Sequence, residues 1–391
     1  MAASCGRVCL HLVSSFVAPL RSRGVIRVVG PDTPDFLQGL FTNDVYASPG
    51  IHAEKLRVGL DSDQRELLQQ QRQHAPPRLV FGAFLNHRGR VMAEAFLHFI
   101  GPDEALLDVD ATSVPSLVKY LHMHRLRKQL SISDETGRMQ VWTHTQAKPI
   151  DLGKTMEAGR SDQGTRWFED SREGALGLRA VLQKNAPRPS ITTLADNESE
   201  GTQLLTESVH RGVRILHGVP EGMSASLEFA DTPLPLEMNL DVFNGVSFTK
   251  GCYVGQELTA RTHHTGIVRK RLLPFVASVS QEAARARAER VLELEPGSIP
   301  GVFPAEFIEY DLLGQLKLKT ELAYHDKEIP CSSALSSFYN IGLGVFRLDQ
   351  AFASPSDNVS KPLLGRADNG DLFHAFVWIP KRIRKVLDMS N

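Results

Sequence analysis

Lys250-Gly251-Cys252-Tyr253-Val254-Gly255-Gln256-Glu257 gathers a thiol, a cation and two glycines within one short segment. The pattern predicts a loop-to-helix junction, where unpaired backbone N–H groups and the positive end of the helix dipole approach the sulfur. With Lys250 beside it, both effects favour thiolate over thiol. Cys252 is therefore a candidate nucleophile or soft-metal ligand; the alternative is a cysteine packed as a small hydrophobe. Gly251 and Gly255 have no Cβ and allow a tight turn or a close ligand approach. Gln256 and Glu257 fall in the first helical turn. Tyr253 either stacks on a ligand or fills core space. His263 and His264 are adjacent, and helix neighbours point about 100° apart, which disfavours joint chelation and leaves a helix end before Gly266.

The elements that must hold this segment follow from periodicity. Val25 to Val29 alternates as a strand, and Pro31 to Leu40 reads as a helix with Phe36, Leu37 and Leu40 on its buried face. Val80 to Leu85 and Val91 to Ile100 form two strands joined at His87-Arg88-Gly89. Leu106 to Val109 is a further strand, Ser113 to Gln129 a helix, and Thr206 to Leu216 another helix. Asp61 to Pro77 and Asn185 to Gln203 read as surface excursions. Residues 276 to 293, rich in alanine and alternating charge, favour helix; strand patterns return at Gly342 to Arg347 and at Phe373 to Ile379.

The chain has 391 residues, enough for two or three cores, and 42% of them are hydrophobic. A net charge of -1 exerts no global pull toward nucleic acid. No apolar run reaches the ~20 residues needed to span a bilayer. The first acidic residue is Asp32, and Arg7, Arg21, Arg23 and Arg27 with several serines precede or flank it. That composition predicts a mitochondrial transit peptide over residues 1–22, with a secretory signal as competitor. Cys5 and Cys9 would leave with it, so only Cys252 and Cys331 remain and a disulfide framework is not expected. Two cysteines cannot ligate a four-cysteine cluster alone, so any cluster is shared with a partner or other ligand types.

The octapeptide resembles the signature of YgfZ-type proteins, relatives of the glycine-cleavage aminomethyltransferases that act in iron-sulfur cluster biogenesis. Ser22 to Val28, Asp32 to Val45, Leu85-Asn86-His87-Arg88-Gly89-Arg90-Val91 and Pro235-Leu236-Glu237-Met238-Asn239-Leu240 match further blocks in the family's order. Leu258 to Gly266 with Arg269-Lys270-Arg271 is similar to the mitochondrial branch. The resemblance implies an α+β, folate-binding fold with a central channel over residues 23–278, and a smaller β-rich carboxyl-terminal domain over 279–391 that the sequence only partly supports.

It further implies tetrahydrofolate or a related pterin in the channel, with Glu237 in the position of the pterin-binding carboxylate, since two oxygens can accept two parallel N–H bonds. Asn239 and Asn43 are candidate lining residues, as are Tyr253 and Gln256. Where the transferases carry a pair of acids, this chain reads Gly89-Arg90-Val91-Met92-Ala93-Glu94. One acid has become alanine, which argues against true aminomethyl transfer. Glu94 either faces the channel or points outward. The expected role is a mitochondrial matrix factor for [4Fe-4S] maturation in which Cys252, aided by Lys250, contacts a transient iron-sulfur cluster. The implied partners are A-type iron-sulfur carriers and a monothiol glutaredoxin; the rival reading is a folate-dependent one-carbon transferase.

Overall fold

The computed structural model describes residues 15–46, 78–146, 167–187 and 189, 203–222, 233–293, 321–324, 330–333, 336–338, 340–366 and 370–389. The expected excursion at Asp61 to Pro77, most of that at Asn185 to Gln203, and Cys5 and Cys9 lie outside these residues.

Three sheets carry the chain. The first runs β3 (Arg78–Leu85), β4 (Val91–Gly101), β5 (Glu104–Asp110), β2 (Arg23–Val29) and β6 (Ser131–Asp134), all antiparallel. Its hairpin β3–β4 turns at Asn86 to Arg90, as alternation predicts, and Asn86 closes it by accepting the Arg88 and Arg90 N–H groups on Oδ1. Helix α1 (Thr33–Gln38), with a proline in its first turn, and α2 (Val114–Arg125) pack Phe36, Leu37, Leu117 and Leu121 against this sheet.

The second sheet runs β10 (Gln203–Leu204), β1 (Ser15–Leu20), β7 (Met139–Gln146), β9 (Leu178–Gln183) and β8 (Phe168–Glu169). Strand β1 lies inside the expected presequence 1–22, with Phe16, Val17, Ala18 and Leu20 buried. Ordered structure is thus present from Ser15, and two of the four arginines have structural partners: Arg23 is buried among carboxylates and Arg27 pairs with Glu104 at 2.6 Å.

The third sheet runs β13 (Pro330–Ser333), β12 (Glu321–Tyr324), β16 (Leu363–Arg366), β17 (Leu372–Val377), β11 (Lys270–Ser278), β15 (Ile341–Arg347) and β14 (Ser336–Phe338). Cys331 belongs to β13. The expected β-rich region falls on this sheet. Strand β11 pairs with both β15 and β17, so in chain order the sheet begins at Lys270. The alanine-rich stretch does form a helix, α5 (Gln281–Glu293), which buries Ala284 and Ala288. Helix α3 (Glu207–Leu216) adds Val209, Val213 and Ile215 to a core that continues into the third sheet through Leu273, Phe275 and Phe376.

Candidate functional site

Helix α4 spans Gln256–Thr265 and is bracketed by two left-handed glycines, Gly255 (φ 79°) and Gly266 (φ 72°). Gly255 is obligatory for a second reason. A Cβ there would lie 2.4 Å from the Asn86 carbonyl oxygen, and one on Gly89 would lie 2.9 Å from the Gly255 carbonyl oxygen. Two sequence blocks far apart in the chain, the β3–β4 turn and the cysteine segment, thus meet backbone to backbone through paired glycines.

The same segment is tied to α1. The Val254 N–H donates to the Gly39 carbonyl at 3.1 Å, and the Ser247 N–H to that of Thr42 at 3.1 Å. The Lys250 Nζ donates to the carbonyls of Gln38 (2.8 Å), Phe41 (2.5 Å) and Asn43 (2.9 Å) and lies 4.9 Å from the Tyr253 ring centroid. These are carbonyls at and beyond the carboxyl end of α1, where a cation is favoured. Lys250 therefore clamps the loop to the end of α1 through three carbonyl acceptors.

Cys252 is exposed between these ties. The helix starts four residues beyond it, so the expectation of helical N–H groups around the sulfur is corrected. Gln256 caps the approach instead, its Oε1 accepting the Tyr253 N–H at 3.1 Å. Tyr253 is buried, and burial raises its hydroxyl to about 12. It fills core space rather than offering a stacking face. On the outer side His263 stacks on Phe248, with centroids 3.6 Å apart and planes 9° from parallel.

Of the expected pterin residues, Glu237 lines a cavity beside α4. That cavity, about 200 Å³, lies between Leu234, Leu236 and the α4 residues Leu258, Thr259 and Thr262. Glu237 Oε2 accepts the Leu234 N–H at 3.0 Å. Asn239 is buried at φ 60°, and its amide donates to the carbonyls of Leu272 (2.6 Å) and Gly218 (3.3 Å). Asn43 donates to the carbonyls of Phe81 and Asn244 at 2.8 and 2.7 Å. Both amides cross-link backbone segments, and Asn239 Oδ1 is buried without a hydrogen-bond partner.

Glu94 faces neither an open channel nor solvent. It is fully buried, accepting from Arg23 Nη1 at 2.7 Å and from the Gly222 N–H at 2.8 Å. It belongs to an interior network of four arginines and four carboxylates. Arg23 also meets Asp108 at 2.5 Å, and Arg179 meets Asp108 at 2.6 Å, Glu221 at 3.2 Å and Asp170 at 3.4 Å. Arg172 joins Asp170 and Glu221 at 2.6 and 2.7 Å, and Arg214 approaches Glu221 at 3.7 Å. Phe96 lies beneath both Arg172 and Arg179, at 4.5 and 4.3 Å from its centroid. Burial alone would push Asp108 and Glu221 up, but the guanidiniums outweigh it. Arg179 and Arg23 hold Asp108 below the usual range, and Arg179, Arg214 and Arg172 hold Glu221 well below it. Sequence reasoning missed this network. Its signal was a charge stranded in apolar strand sequence, as in Ala105-Leu106-Leu107-Asp108-Val109 and Leu178-Arg179-Ala180-Val181.

No family model matches the chain. The mitochondrial iron-sulfur cluster assembly factor IBA57 homolog of Mycosarcoma maydis is 33% identical over 358 residues, covering 88% of this chain and 78% of that protein. The chain belongs to this family of mitochondrial assembly factors. Mouse mitochondrial IBA57 is 32% identical over 269 residues, 65% of this chain and 64% of the mouse protein, and the chain spans 56% of the Aspergillus oryzae homolog. Among solved structures, the glycine cleavage system aminomethyltransferase T of Bartonella henselae superposes with a TM-score of 0.55 at 11% identity, over 96% of this chain and 88% of that one. The IBA57-type chain thus has the expected α+β aminomethyltransferase fold, with the acid expected of its channel locked into an ion network.

Proposed function

We propose that the protein is a mitochondrial matrix iron-sulfur assembly factor whose working group is the Cys252 thiol, presented on a pinned surface loop. The observation that carries this reading is the contrast between an exposed sulfur and the rigid ties around it: Lys250 to α1, Val254 to Gly39, and Gly255 to the β3–β4 turn. A thiolate is a good ligand for the iron of a cluster in transit. Among the described residues no three His, Cys, Asp or Glu side chains converge on a metal-sized site. In this reading the cargo takes its other ligands from a partner, and family resemblance points to an A-type carrier, with a monothiol glutaredoxin as donor.

A pterin fits less well than the resemblance implies. Asn43, Tyr253 and Gln256 are engaged in structure, Glu94 and Asn239 each keep one buried oxygen without a partner, and Glu237 lines a cavity that could take a pterin edge. Glu237 would hold the ring's N–H groups there, with Leu234, Leu236 and Leu258 against its faces. A bound tetrahydrofolate would supply a one-carbon carrier, but Glu94 is paired with Arg23 and the second acid of the transferases is Ala93 here, so the transferase reading is not favoured.

The test is to titrate the purified protein with an A-type carrier loaded with a [2Fe-2S] cluster and follow the visible spectrum and complex mass. Cys252→Ser should abolish the shared-cluster species while leaving thermal unfolding unchanged, because the side chain is exposed. Wild-type behaviour of that variant, or its full restoration of aconitase and lipoate-dependent activities in depleted cells, would remove the thiol from the function. Tetrahydrofolate binding that survives in Glu237→Gln would remove Glu237.

A further inference from the structure

From Ala111 to Ser133 the chain contains no acidic residue, yet it carries Lys119, Arg125, Arg127 and Lys128 with His122 and His124. Structure concentrates these groups at one place, the end of α2 and the turn that leads to β6. Arg125 to Gln129 are exposed without interruption, so the turn stands out from the body of the protein. Two large apolar side chains sit among the cations: Met123 is 64% exposed and Leu126 83% exposed. Asp32 touches this turn, and its Oδ2 accepts the Gln129 N–H at 2.7 Å.

Leu126 is held in an unusual backbone. The Lys128 N–H donates to the Arg125 carbonyl at 2.9 Å, which makes Leu126 the first central residue of a tight turn, with φ 46° and ψ -115°. That is the position that glycine takes in a type II′ turn, and a residue with a Cβ is strained there. The strain aims a leucine outward at the tip, where glycine would fold more easily.

We infer that this turn docks the protein on an anionic lipid surface. A protruding tip with two apolar side chains and three cations, Arg125, Arg127 and Lys128, with Lys119 further back on the helix, combines shallow insertion with attraction to charged headgroups, the two signals that peripheral membrane contact needs. An acidic protein partner is less well served, since a stable protein interface takes ~800 Å² from each side and a single protruding turn does not offer it. Among the described residues no helix is long and apolar enough to cross a membrane, so the contact is peripheral. That the surface is a cardiolipin-bearing mitochondrial membrane rests on the family reading above; the charge and the exposed leucine do not.

The test sediments the full chain at low salt with vesicles of phosphatidylcholine alone or of phosphatidylcholine mixed with cardiolipin. Pelleting is expected with the mixed vesicles only, and should disappear at high salt. Replacing two cations, Arg127→Gln with Lys128→Gln, should lower the partition coefficient roughly 30-fold, at the usual contribution of a cation near a charged bilayer. Leu126→Gly should also weaken pelleting, without lowering the thermal midpoint, because glycine relieves the positive φ. Absence of pelleting, equal pelleting with both vesicle types, or unchanged partition in both variants overturns the inference. Cluster sharing through Cys252 is measured separately without lipid, so the membrane contact and the assembly function can fail independently.

Discussion

Arg23→Met removes the guanidinium that joins the first sheet's charges into the interior network. Arg23 donates to Glu94 Oε1, Asp108 Oδ1 and the Asp108 carbonyl oxygen at 2.7, 2.5 and 2.8 Å, with no part of its side chain exposed. After substitution Glu94 retains only the Gly222 N–H among these partners, and Asp108 relies on Arg179. Removing one partner of a buried pair costs about 3–5 kcal/mol, because the remaining charge stays out of water. Against a total stability of roughly 5–15 kcal/mol that is a large share, and at about 2–4 °C per kcal/mol it lowers the midpoint by roughly 6–20 °C. Urea unfolding followed by circular dichroism measures it. The double variant Arg23→Met with Glu94→Met should recover part of the loss, since it removes one stranded carboxylate with the arginine. A loss below about 1 kcal/mol in the single variant, or a double variant worse than the sum of the singles, would refute the claim that these charges depend on one another.

Gly255→Ala places a methyl 2.4 Å from the Asn86 carbonyl at a φ of 79°, so it should cost on the order of 2–4 kcal/mol and loosen the cysteine loop, measured as faster amide exchange over residues 250–257. A chain starting at Ser15 should unfold as cooperatively as the full chain, whereas one starting at Arg23 loses strand β1 and its buried Phe16, Val17 and Leu20, and should be recovered aggregated or molten by near-ultraviolet dichroism. Burial holds His144 at about 4 and His210 at about 3, below the 6.5 of an unfolded histidine. The unfolded chain therefore binds protons first. The stability these groups contribute is complete above about pH 6.5 and is lost as pH falls toward their folded values, by roughly 2 kcal/mol each at pH 5. Denaturant midpoints between pH 7.5 and 5 check this, and a flat profile would contradict it.

Strands β2, β3, β4 and β5 and helices α1, α2 and α3 were legible because each shows one period of alternation over its length. The pinned loop was legible in kind: Gly251 and Gly255 beside a cysteine announced close backbone approach, although its partner, the Asn86 to Arg90 turn, lies in another block. What composition obscured was the use made of charge. Arg23 and Arg27 in an acid-free start have the same appearance whether they address the chain to an organelle or pair with Glu94, Asp108 and Glu104. Single charges such as Asp108 and Arg179 sit in strands whose other face is apolar, and periodicity assigns them to solvent. Only the meeting of the first two sheets with α3 shows that they face each other.

The interior network also bears on where chemistry can occur. A transferase of this fold needs an acid that is free to exchange protons with a bound substrate, and a carboxylate gripped by a guanidinium and a backbone N–H is poorly suited to that. Releasing Glu94 would break its ion pair with Arg23, which would keep only the Asp108 carboxylate and carbonyl as acceptors. The network holds Glu94 on one oxygen, while its Oε2, Arg179 Nη2 and Arg214 Nε are buried without a hydrogen-bond partner. The groups that remain available, the Cys252 sulfur and the Glu237 cavity along α4, lie on one helix and its approach. They are held by glycines and a lysine that spend their own chemistry on position. A rigid outer loop with one soft ligand suits cargo that must be handed from one protein to another, because the site never has to open.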